Sequence, residues 1–197
     1  NYLSRHPFPH GHPGLRDEVS APGIWHHRDE VTIRNELGRE YACSDNIDIQ
    51  IDRVLKKLES MGELDNTYII YMSDNGSVPN IPGAKKYEKS YNFPLSRGKW
   101  DAYEGGVRVP LIIAGPGIKN NTESATPVSG SDLLPTIIDL AGNKTIALTE
   151  IDGGSFASIL LNKNNEQIKR AVDGIFFHVP YKNGIALKRP HSAVRKG

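Results

Sequence analysis

The chain has 197 residues, with 24 Lys plus Arg against 23 Asp plus Glu, a formal net charge of +1, and 38% hydrophobic and 24% charged residues. That length suits one domain with a sizeable core or part of a larger one, and the charge balance gives no electrostatic reason to expect nucleic acid or an anionic membrane as partner. No apolar run reaches the roughly 18 residues that a membrane span requires, and a single cysteine, Cys43, excludes an internal disulfide and a thiolate metal cluster.

The first thirty residues are rich in His, Pro and Gly ("HPFPHGHPG", "APGIWHHRDE"), a composition that reads as loop. No signal peptide is visible, although a chain that begins at Asn1 leaves room for a removed leader. From about Asp29 the pattern becomes helical. Ile47, Ile51, Val54, Leu55 and Leu58 recur at spacings of three and four, and Gly62 is placed to cap the end. Cys43 falls inside this pattern and is expected to be a small buried hydrophobe. Thr67 to Ser73 reads as a buried strand, and the helix–strand order predicts a parallel sheet.

Gly76 to Gly106 has no strong period and reads as a long functional loop. "VRVPLIIAG" is the next strand. "SGSDLLPTIIDLAG" is a helix capped by Ser129 or Ser131, with Pro135 in its first turns and Gly142 at its end. "GSFASILL" is a short helix and "DGIFFHV" a strand. The alternation predicts an α/β fold, a mostly parallel sheet with helices on both faces, whose ligands bind beyond the carboxyl ends of the strands. Asn120 and Asn143 head glycosylation sequons, relevant only to a eukaryotic secreted protein.

Asp74 and Asn75 stand at such a strand end. Their oxygen donors suit a hard cation, and Gly76 lets the chain turn sharply beside them. Asp-Asn-Gly is also an ordinary strand-end turn. Lys99, between glycines in "SRGKWDAYEGG", can serve as a point charge for an anionic substrate or be a plain surface lysine. Arg97 and Arg108 have the same bland reading, with Arg108 expected to pair with Glu104. His6, His10 and His12 crowd one loop, where an imidazole can bind an anion or protonate a leaving group, or have no role at all.

Taken together, "YIIYMSDNG", "PLSRGKWDAYEGGVRVPLIIAGPG", "SDLLPTIIDLAG" and "DGGSFASILL" resemble the type I, formylglycine-dependent sulfatases of the alkaline-phosphatase-like superfamily. "HSAVRKG" resembles a late segment of that family in which an Ala-Val-Arg motif leads into a strand. The resemblance implies that Asp74 and Asn75 are two ligands of an active-site divalent cation, usually Ca²⁺. It implies that Lys99 binds a sulfate oxygen. It also implies that a histidine of "PHGHP", taken as His10, binds sulfate and helps protonate the leaving oxygen.

Family enzymes attack with a formylglycine made from a Cys/Ser-x-Pro-x-Arg motif. Cys43 is followed by Ser-Asp-Asn, and Ser77-Val78-Pro79-Asn80-Ile81 has Ile81 where arginine belongs, so the motif is absent here. Residues 1–197 are therefore expected to be the later half of a sulfatase catalytic domain, with about 150–197 leading toward a C-terminal subdomain. The expected substrate is a sulfated small molecule or carbohydrate. A phosphoesterase or phosphonate hydrolase of the same superfamily, or an inactive binding homologue, are the alternatives. Periplasmic, lysosomal or secreted location follows from the family only, and oligomeric state is not readable.

Overall fold

The computed structural model describes residues 30–77, 94–143, 150–162, 167–180 and 190–196. In chain order these form α1 (Glu30–Ser60), a 3₁₀ turn (Leu64–Asn66), β1 (Ile69–Met72), α2 (Glu104–Val107), β2 (Leu111–Ala114), a second 3₁₀ turn (Gly130–Asp132), α3 (Leu133–Leu140), α4 (Ala157–Leu160), β3 (Ile175–Val179) and β4 (His191–Arg195). Helix α1 ends as its sequence requires. Gly62 adopts φ +71°, and the Glu63 N–H reaches back to the Leu58 carbonyl at 3.0 Å, the six-to-one closure that a left-handed glycine permits.

The apolar stripe of α1 divides. Ile51, Leu55 and Leu58 are half-buried, whereas Ile47 and Val54 are 52% and 60% exposed. Cys43 is exposed, which corrects the expectation of a buried thiol. Cys43, Ile47 and Val54 follow one another at four and seven residues and so lie on one line of the helix, turned away from the contact face.

The described strands pair antiparallel, not parallel. β1 meets β2 in the register Ile69↔Ala114 to Met72↔Leu111, and β3 meets β4 from Ile175↔Arg195 to Val179↔His191. A parallel partner needs a crossover that carries the chain back to the starting end. Instead the segments flanking the two strands meet where β1 finishes: the Ser73 N–H donates to the Pro110 carbonyl at 3.3 Å, and the Gly76 N–H to the Gly106 carbonyl at 2.9 Å. The chain therefore enters β2 from the end at which it left β1. β1 is half-exposed rather than buried, with Tyr71 and Ile112 facing solvent as a cross-strand pair. The Ala-Val-Arg segment itself lies within β4.

The second half is organised around a buried carboxylate. Asp132 is fully buried and accepts from the Ser129 N–H (2.7 Å), the Gly154 N–H (2.9 Å), and Arg170 Nε (2.9 Å) and Nη2 (2.8 Å). Arg170 Nη2 also donates to the Pro127 carbonyl at 2.8 Å. Thr136, likewise buried, donates from its hydroxyl to the Asp132 carbonyl at 2.6 Å and accepts the Phe156 N–H at 3.0 Å. Ser129 and Asp132 form a capping box on the 3₁₀ turn, and Asp132, rather than Ser129 or Ser131, is the N-cap of α3 itself. Pro135 sits in the first turn of α3, where its missing N–H costs little. Gly153 and Gly154 have no room for a Cβ, which would overlap the Ser131 and Lys169 carbonyls. Phe156, Ala157 and Ile175 supply the buried apolar side chains around this polar pin.

Burial by itself would raise the Asp132 carboxyl. The Arg170 hydrogen bond, the Gly154 and Ser129 N–H groups and the Arg170 charge outweigh it and hold the group below the ordinary carboxylate range. Its stabilisation is thus complete above the unfolded value of about 4 and disappears as pH falls through the lower folded value. Asp132→Ala should destabilise the fold by about 3–5 kcal/mol, because it strands the Arg170 guanidinium. The double variant Asp132→Ala/Arg170→Met should recover part of that loss. Urea denaturation of the two variants checks this, and equal midpoints for Asp132→Ala and the parent would contradict it.

Candidate active site

The end of β1 carries the first candidates. Asp74 is exposed and Asn75 half-buried. The Ser73 hydroxyl donates to the Asn75 carbonyl at 2.9 Å, and Asn75 Nδ2 donates to the Gly76 carbonyl at 3.0 Å. With its NH₂ used locally, the Asn75 carboxamide has Oδ1 as the atom to offer an outside group. Asp74 and Asn75 thus present oxygen only, a donor set that fits a hard divalent cation in kind. It falls short in number, since Ca²⁺ takes about 6–8 oxygens. Among the described residues no group of three or more His, Cys, Asp or Glu side chains could hold a metal.

The second candidate segment packs directly on the first. A Cβ on Gly76 would overlap the Gly105 carbonyl, one on Gly105 would overlap the Arg97 carbonyl, and one on Gly106 the Asp101 carbonyl. Three glycines thus let three stretches of backbone touch. The Lys99 N–H donates to the Ser77 carbonyl at 2.8 Å, and the Gly105 N–H to the Ser96 carbonyl at 2.9 Å. Asp74, Asn75 and Lys99 are therefore gathered at one end of the β1–β2 ladder, as their sequence positions suggested.

Lys99 occupies an unusual piece of backbone. The Asp101 N–H donates to the Gly98 carbonyl at 3.1 Å, which closes a β-turn with Lys99 and Trp100 at its centre. Trp100 has φ +76° and Arg97 has φ +63°. Bulky residues in this region cost about 1–3 kcal/mol each and persist only where the surroundings over-determine them. Here Arg97 lies 3.6 Å from the buried Asp101 carboxylate, with its guanidinium 4.9 Å from the Tyr103 ring centroid. The Lys99 ammonium lies 5.5 Å from the centroid of the Trp100 ring, close enough for a cation–π contact.

Arg97 is not the surface residue its sequence suggested, since its side chain is only 15% exposed. Arg108 approaches Glu104 at 3.6 Å as expected, but Arg195 of β4 reaches the same carboxylate at 2.8 Å. His191, the first residue of β4, accepts the Ala102 N–H at 3.2 Å through Nε2. Sequence reasoning assigned neither Asp101 nor His191. Neither carries a mark in the sequence: a lone Asp or His does not show its contacts, and His191 comes from a distant strand. His6, His10 and His12 lie outside the described residues.

These features match a known pattern. The sulfatase family model matches residues 8–143. The chain belongs to the sulfatase family. Bovine N-acetylglucosamine-6-sulfatase is 39% identical over 133 residues, 68% of this chain and 22% of that protein. A sulfatase of Formosa agariphila is 34% identical over 186 residues, 88% of this chain and 32% of its own length. Each of these matches spans about a third or less of the relative.

Among solved structures, a protein in complex with its substrate D-glucosamine-2-N,6-O-disulfate superposes with a TM-score of 0.61 at 24% identity, covering 91% of this chain and 33% of that one. A 2-O GAG sulfatase gives a TM-score of 0.54 at 28% identity, covering 77% of this chain and 30% of that one. The fold is thus of the alkaline-phosphatase-like α/β type.

Gly76→Ala should cost about 1–3 kcal/mol or more, because the new methyl group meets backbone that cannot yield without moving the Lys99 turn. Chemical denaturation checks it. An unchanged midpoint would mean that Gly76 and Gly105 do not touch.

Proposed function

We propose that residues 1–197 form part of a sulfatase catalytic domain that hydrolyses the sulfate monoester of a sulfated carbohydrate. Residues from about 150 would lead toward its C-terminal subdomain. The observation that carries the reading is the backbone junction Gly76–Gly106 and Ser77–Lys99, which brings the segments bearing Asp74, Asn75 and Lys99 to one strand end. Family membership supports the reaction class. The names of the bovine relative and of the glucosamine disulfate complex support an aminosugar sulfate as substrate. No observation favours a phosphoesterase. The mostly parallel sheet would belong to the rest of the domain, with β1–β2 as an antiparallel part of it.

Asp74 and Asn75 would hold a divalent cation, in keeping with Ca²⁺, together with ligands from elsewhere in the domain. Such an ion supplies positive charge opposite the ester oxygens. Lys99 would set its ammonium against a sulfate oxygen, and the strained turn keeps that charge in place before the substrate arrives, so little reorganisation opposes the reaction. His10 would bind the sulfate and give a proton to the departing alcohol oxygen. The attacking formylglycine would come from a Cys/Ser-x-Pro-x-Arg motif, which this sequence does not contain.

In the protein that carries this segment, Lys99→Ala should lower kcat/KM for a sulfate ester by about 10²–10³-fold, the cost of one preorganised oxyanion donor. Lys99→Arg should rescue poorly, since a planar fork does not replace a compact ammonium. Steady-state kinetics test both, and unchanged kcat/KM in the two variants would make Lys99 an ordinary surface lysine.

Asp74→Ala should abolish metal binding and turnover together, because removal of one anionic ligand weakens a hard-cation site. Calorimetric Ca²⁺ titration beside the assay checks this. A variant that keeps both would leave Asp74 as a turn residue.

A further inference from the structure

We propose that His191 is a positioning residue for Lys99, acting as the hydrogen-bond acceptor that fixes the far side of the lysine turn; the proposal rests on the reading of Lys99 as the sulfate-binding group. The turn is gripped from two directions. On one side Ser77 holds the Lys99 N–H. On the other, β4 arrives from nearly ninety residues further along the chain and makes two contacts. His191 Nε2 accepts the Ala102 N–H at 3.2 Å, and Arg195 Nη1 donates to Glu104 Oε1 at 2.8 Å. Glu104 opens α2, whose Gly105 and Gly106 pack under the turn and against Gly76. Strained residues at 97 and 100 need restraints of this kind, since nothing in their own conformational preference keeps them there.

The two contacts of the imidazole belong to different protonation states. Nε2 can accept from Ala102 only while it carries a lone pair, in the neutral ring with its proton on Nδ1. Protonation turns Nε2 into a donor, which repels the Ala102 N–H and faces Asp101 Oδ1 at 3.8 Å instead. The 3.2 Å contact marks the neutral form as the one that holds the turn. The charged group that faces the ring is Asp101, itself 3.6 Å from Arg97; Glu104 with Arg108 and Arg195 lies beside α2, and His178, whose Nδ1 pairs with Ser192 at 2.8 Å, stands on the opposite face of the β3–β4 ladder.

The test compares His191→Ala and His191→Gln in the protein that carries this segment. Glutamine keeps an acceptor oxygen and cannot be protonated. His191→Ala should lower kcat/KM for a sulfate ester by about 10–100-fold, the scale of a small misplacement of a catalytic group. It should add no further loss in a Lys99→Ala background. His191→Gln should restore most of the activity. Hydrogen exchange at the Ala102 amide should be slow in the parent and in His191→Gln and fast in His191→Ala.

Full kcat/KM in His191→Ala, or an equal further loss on top of Lys99→Ala, would overturn the proposal. Equal Ala102 exchange in all three proteins would overturn it as well. If the parent turned over no sulfate ester, the sulfatase reading would fail, and Ala102 exchange would still decide whether His191 holds the turn.

Discussion

Direct contact between two glycine-bearing backbones is the constraint on which the first half of the structure depends. Gly76 leaves β1 and immediately meets Gly105 and Gly106, with its N–H on the Gly106 carbonyl at 2.9 Å. No side chain fits between them. This contact turns the chain back at the end of β1, makes β2 an antiparallel neighbour, and brings Ser77 to the Lys99 N–H. The strand pairing, the shape of the lysine turn and the proximity of the candidate ligands thus have one cause.

The second half rests on a different kind of anchor. Asp132 and Arg170 are an ion pair whose carboxylate also accepts the Ser129 and Gly154 N–H groups, and they join α3, the loop before α4 and the segment before β3. Such a pair is weak evidence for net stability, because desolvation offsets much of its attraction, but loss of one partner alone is costly. Large apolar groups such as Ile112 (62% exposed) and Phe176 (61%) remain at the surface, so the described residues are organised more by backbone contacts and polar pins than by an extensive apolar core. The lysine turn shares this character: Arg97, Asp101 and His191 surround it with charge and hydrogen bonds rather than with hydrocarbon.

Local features were legible in the sequence because local chemistry determines them. Gly62 and Gly142 end their helices with positive φ, Ser129 caps the 3₁₀ turn that leads into α3, and the apolar runs at 69–72, 111–114 and 175–179 are strands. Asp74, Asn75 and Lys99 could be singled out because each sits beside glycines that mark close backbone approach. Strand direction was not legible, since it follows from the Ser73–Pro110 and Gly76–Gly106 contacts and not from the strands themselves. The exposure of Cys43 depends on which side of α1 finds a partner, which periodicity does not say. Arg97, Asp101 and His191 escaped for the same reason. Their roles come from contacts across the fold, and a lone Arg, Asp or His carries no mark of them.

The most direct test of this account is a double-mutant cycle on kcat/KM for a sulfate ester, with Asp74→Asn and Lys99→Met made separately and together in the protein that carries this segment. If the Gly76–Gly106 junction brings both groups to one sulfate, their losses should be strongly non-additive, with a coupling of about 1 kcal/mol or more. Losses that add to within about 0.5 kcal/mol would mean that the two residues act independently, and that the strand end and the lysine turn do not form a single site.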